Sequence, residues 1–189
     1  MTTLQDIFLY FSKFPLKEGV LELFNRSESE HFAGYATLKT QISNLDPHSL
    51  IPGIQDYVFG IDEQSIKKRI EEISGTYLFV DYGNIASQED QLKRRTDEIL
   101  IAITVATPLH INVLDMVEQV LLADQALDYL MQIMAIMRQD SRCSPFVKQL
   151  TFPVEITPFL ARELSDSTGW TMVIKKMCLG EELLISYTH

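Results

Sequence analysis

The 189-residue sequence predicts an α+β fold: one domain in which an antiparallel or mixed sheet of about four strands carries a long helix and N-terminal helices on one face. Two observations predict it. Two runs with strand character, Tyr77–Gly83 and Ile99–Thr107, precede one long helical run, and two more, Leu150–Thr157 and Trp170–Met177, follow it. Hydrophobic residues make up 46% of the chain and charged residues 22%, enough apolar side chain to offset the entropy of ordering a core. The domain is read as residues 1–189, with 1–60 a helical or irregular N-terminal part and 61–178 the core.

Leu4, Ile7, Phe8 and Phe11 fall at helical spacing, and Pro15 stands just beyond to stop the turn. Val20 to Phe24 reads as a strand, Asn25 to Glu30 as a polar loop, and the stretch from Phe32 to Leu45 fits either period. Asp46-Pro47 and Ile51-Pro52-Gly53 read as turns. Asp62 is placed to cap a helix that carries Ile66, Ile70 and Ile73 on one face, with Gly75 to end it. Tyr77 to Gly83 is a strand by its aromatic and β-branched content, and Asn84 to about Thr96 reads as a polar connection. In Ile99–Thr107, Ile99, Ile101, Ile103 and Val105 alternate with smaller residues, and Pro108 closes the strand.

Ile111 to Arg138 is strongly helical, and its apolar sector is too wide for one contact. One flank suits the sheet; the other suits the N-terminal helices or a second subunit. Leu150, Phe152, Val154 and Ile156 alternate with polar residues and Pro153, which has no amide to donate, so this strand belongs at an edge or carries a bulge. Trp170 to Met177 is the last strand.

The net charge of −10, from 26 acidic and 16 basic residues, disfavours phosphate backbones and anionic lipid as partners. Lys67-Lys68-Arg69 and Lys93-Arg94-Arg95 run against this trend and read as solvated faces. The glycines are isolated and never approach a nucleotide-loop spacing. No histidine pair has metal-ligand spacing on one helix, and Cys143 and Cys178 form no C-x-x-C, so no metal or cofactor is expected. Cys143 reads as a free structural thiol despite the adjacent Arg142. The start Met1-Thr2-Thr3 lacks a basic leader, and no uninterrupted apolar run is long enough to span a bilayer, so a cytoplasmic protein is expected.

Four residues stand out as candidate buried polar or interaction positions. Asp81 shares a strand face with Tyr77 and Phe79, which makes it either a buried carboxylate or a strand-end aspartate turning into the loop at Gly83. Asp124 shares a helical sector with Val117, Val120, Leu127 and Met131, so either it caps a second helix after a break at Ala123-Asp124 or a neighbouring element bonds it. His110 precedes Asp115 and Glu118 at a helix start, where the helix dipole already accounts for the carboxylates. Trp170, the single tryptophan, reads as a core or interface anchor.

Two function classes follow. A non-enzymatic structural or interaction protein, with protein partners and self-association, fits the over-wide helix, the edge strand and the lack of a catalytic constellation. A small-molecule binder or enzyme instead needs Asp81, Asp124 and His110 to converge in a pocket. In element order over about residues 60–178, the strands Tyr77–Gly83 and Ile99–Thr107, the long helix, and the strands Leu150–Thr157 and Trp170–Met177 resemble small phage neck and tail-terminator proteins. That resemblance implies assembly into rings and no catalytic residues.

Overall fold

The computed structural model describes residues 4–25, 32, 34–89, 95–109, 115–142, 147, 150–161 and 167–179, with helices α1 (Leu4–Ser12), α2 (Lys17–Asn25), α3 (Tyr35–Ser43), α4 (Glu63–Glu71) and α5 (Met116–Asp140). The strands are β1 (Asp56–Phe59), β2 (Tyr77–Glu89), β3 (Arg95–Pro108), β4 (Leu150–Ala161) and β5 (Ser167–Leu179), ordered β1-β2-β3-β5-β4. β1 and β2 are parallel and the other pairs antiparallel, so the fold is α+β with a mixed, mostly antiparallel sheet.

On one face, here the near face, Ile7, Phe8, Phe11 and Phe14 pack with Tyr57, Leu78 and Val80, while Ala126, Leu130, Ile133 and Met137 pack with Ile101, Ile103, Val105, Met172 and Ile174. α1 and α5 thus lie side by side on the sheet. Tyr10 donates to the Asp140 carboxylate, Lys13 pairs with the same oxygen, and together they tie the first helix to the end of α5. On the far face Ile66, Ile70 and Ile73 pack on Val58, Tyr77, Phe79 and Ala106. α4 therefore crosses to the far side, which the expectation of helices on one face did not include. The crossing follows from the parallel β1–β2 pair, whose connection has to pass over the sheet.

Val20–Phe24 is helical, not a strand: it lies within α2 and buries Val20 and Phe24, four residues apart, in the near-face core. Five apolar residues fit both periods, and packing on β1 decides between them. Gly19 permits that packing, because a Cβ there would stand 2.0 Å from the Gln55 carbonyl oxygen. α3 resolves the ambiguous stretch; Tyr35 opens it and donates its hydroxyl to the Phe24 carbonyl at 2.5 Å.

Asp62 caps α4 as expected, accepting the Ser65 amide at 2.9 Å, although the helix ends at Glu71, short of Gly75. The expected polar connection from Asn84 is strand instead: Asn84–Glu89 pair with Arg95–Leu100 after a register shift that begins at Asp81. Main-chain hydrogen bonds extend this ladder where no apolar alternation announces it. β4 lies at the sheet edge, and its register shifts between Thr151 and Glu155, around Pro153, so both consequences expected of that proline occur.

Candidate interaction surface

α5 begins at a capping box. The Asp115 carboxylate accepts the Glu118 amide at 2.8 Å, and the Glu118 side chain accepts the Asp115 amide at 2.9 Å. These bonds satisfy two of the free donors at a helix start, and the carboxylates meet the positive end of its dipole. Helix-start chemistry therefore accounts for Asp115 and Glu118, while His110 lies outside the described residues.

From this cap the helix runs unbroken to Asp140, so no second helix starts at Asp124. Its buried residues, Ala126, Leu130, Ile133, Met134 and Met137, all belong to its second part. Residues 115–121 are exposed on every side of the helix. Met116 is 83% exposed, Val117 66%, Val120 65% and Leu121 62%, so the first two turns stand clear of the core and present these apolar side chains to solvent among Asp115, Glu118 and Gln119. Single exposed aliphatic side chains are ordinary; four within six residues form a patch. The width of the apolar sector was legible in the sequence, and the structure leaves the surplus in solvent. Asp124 does share the sector of Val117, Val120 and Met131, but that sector faces outward, and water solvates the carboxylate in place of a buried partner.

Trp170 marks where the projection starts. Its ring packs on the near-face core, and Nε1 donates to the Ala123 carbonyl at 3.0 Å, pinning the helix to β5 at the boundary between free and buried turns. By length and composition α5 is also apolar enough to cross a bilayer, yet its second part is spent on β3 and β5.

Asp81 lies on the far face, in register with Ala102, at the start of the register shift. Its Oδ1 is buried with no hydrogen-bond partner, and burial raises its carboxyl above the ordinary carboxylate range, opposed by the Gly83 amide. The strand continues beyond it to Glu89, so Asp81 is not a strand-end residue. Asp81 and Asp124 belong to opposite faces of the sheet and do not share a pocket.

A cleft of about 410 Å³ opens between α2, β1 and α4, lined by Leu23, Phe59, Ile61, Lys68, Arg69 and Tyr82 among others, and it holds neither of these aspartates. Arg69 in its wall is taken up by Asp56 at 2.8 Å and Glu22 at 3.2 Å. Sequence reading placed Arg69 on a solvated face; it is 7% exposed and joins α4 to α2 and β1. Among the described residues, no three His, Cys, Asp or Glu side chains gather as a metal site. The Cys143 and Cys178 side chains lie outside the described set. Set against protein-family models, curated proteins and solved structures, the chain matches none of them.

Proposed function

We propose that this chain is a non-enzymatic assembly protein that works by docking onto other protein surfaces, with the first turns of α5 as its docking element. The observation that carries this reading is the exposure of Met116, Val117, Val120 and Leu121 on a capped, well-formed helix. A partner that removes these side chains from water gains about 25 cal/mol for each Å² of apolar area. The alternative, an enzyme or small-molecule binder built on scattered carboxylates, loses support from the placement of Asp81 and Asp124 on opposite faces.

The resemblance in element order to phage neck and tail-terminator proteins extends the proposal to rings of identical copies, in the cytoplasm or on a virion. Sedimentation equilibrium across the micromolar range tests that extension: a mass that climbs with concentration supports homotypic assembly, and a strict monomer leaves heterotypic docking. Replacing Val120 and Leu121 with glutamate tests the surface itself. A folded variant with unaltered partner binding and mass would overturn the proposal.

A further inference from the structure

We propose that the projecting turns of α5 act as a helical ligand, seating Val117, Val120 and Leu121 in an apolar groove rimmed by lysine or arginine on a different protein. This rests on the reading of the chain as an assembly protein and adds the chemistry of the partner. The three side chains stand at i, i+3 and i+4, the spacing with which one helix face anchors in a groove. Adding a strand is disfavoured at both sheet edges. β1 is backed by α2, where Gly19 bridges to Asp56, and β4 loses two amide donors to Pro153 and Pro158.

Charge selects the partner. Between residues 115 and 137 the chain carries Asp115, Glu118, Asp124 and Asp128 and no lysine or arginine. Asp124 and Asp128 are exposed, one and two turns beyond the apolar stripe, where a cation on the groove rim would meet them. A second copy fits poorly. Pairing the stripe in parallel with a second copy's sets these carboxylates against their own duplicates, and pairing it antiparallel offers them no lysine or arginine, because residues 96–137 hold none. The apolar cleft of this chain has Asp62 and Glu72 beside Lys68, and its Arg69 is already engaged by Asp56 and Glu22. An anionic bilayer meets the same repulsion.

The test uses the full chain and two labelled helical-hairpin peptides whose paired helices frame a leucine-lined groove, one rimmed with lysine and one with glutamate. Fluorescence anisotropy should show the lysine peptide binding roughly ten-fold more tightly than its twin. The double variant V120E/L121E should lose at least about that factor, D124N/D128N should narrow the preference several-fold, and E63Q/E71Q, off this face on α4, should leave it unchanged. Equal binding of the two peptides, or full binding by V120E/L121E, overturns the proposal. A wild-type mass that doubles and reverts to monomer in V120E/L121E would show that a second copy covers the face. That result sinks the cationic partner and keeps the assembly reading. Binding to phosphatidylglycerol vesicles that V120E/L121E abolishes would sink both. Circular dichroism of each variant confirms the fold before binding is scored.

Discussion

Arg69 shows how much one side chain can hold. Its guanidinium bonds Asp56 on β1 and Glu22 on α2, and it stands on α4, so three elements meet on one buried charge. Removing a buried partner leaves its carboxylates without compensation. We expect Arg69→Met to destabilise the chain by about 3 kcal/mol, at the low end for such pairs because Glu22 is half exposed, read as a fall in the urea midpoint. Asp81 works in the opposite sense. Its carboxyl is raised in the fold by burial, so the folded chain holds that proton more tightly than the unfolded one. The resulting stability is complete below the ordinary aspartate value and is lost as pH rises through the raised one. Asp81→Asn, which keeps an oxygen for the Gly83 amide, should therefore raise the Tm at about pH 7 and leave it unchanged below about pH 3.5. An unaltered Tm at neutral pH would remove the argument for a burial cost.

At the scale of elements, α5 divides into two parts with different sources of stability. The second part is held by tertiary packing, and the first has only its own hydrogen bonds and its cap, because isolated helical turns are marginal in water. Asp115→Ala should cost about 1 kcal/mol, the usual worth of such a cap, and the loss should fall locally. Hydrogen exchange should speed up at the amides of residues 116–121 and stay unchanged at Leu130 to Met137. Uniform acceleration along the helix would mean that the projecting turns are coupled to the core after all.

For the molecule as a whole, burial separates folding from docking. The core comprises two packed layers, one on each sheet face, and none of Met116, Val117, Val120 or Leu121 contributes to either. Substitutions on a surface that touches nothing fall within about 0.5 kcal/mol. V120E/L121E should therefore match the wild-type Tm closely while losing its partner. A large drop in Tm would place these residues in the fold and withdraw them from the interface.

The sequence by itself determined the elements whose signal is local. Asp62 announced a helix start because a cap acts within one turn, and Pro153 announced an edge or a bulge because a missing amide is missing in any context. The strand Ile99–Thr107 was legible because bulky side chains alternate with smaller ones along it. What depends on who packs against whom was not legible. Val20–Phe24 is helix where it packs on β1, the short β1 was too brief for periodicity, and the parallel β1–β2 pair demands the crossover that carries α4 over the sheet. The width of the apolar sector on α5 was written in the residues, but which part of it would stay in water was decided by tertiary packing, because only the second part of the helix meets the side chains of β3 and β5.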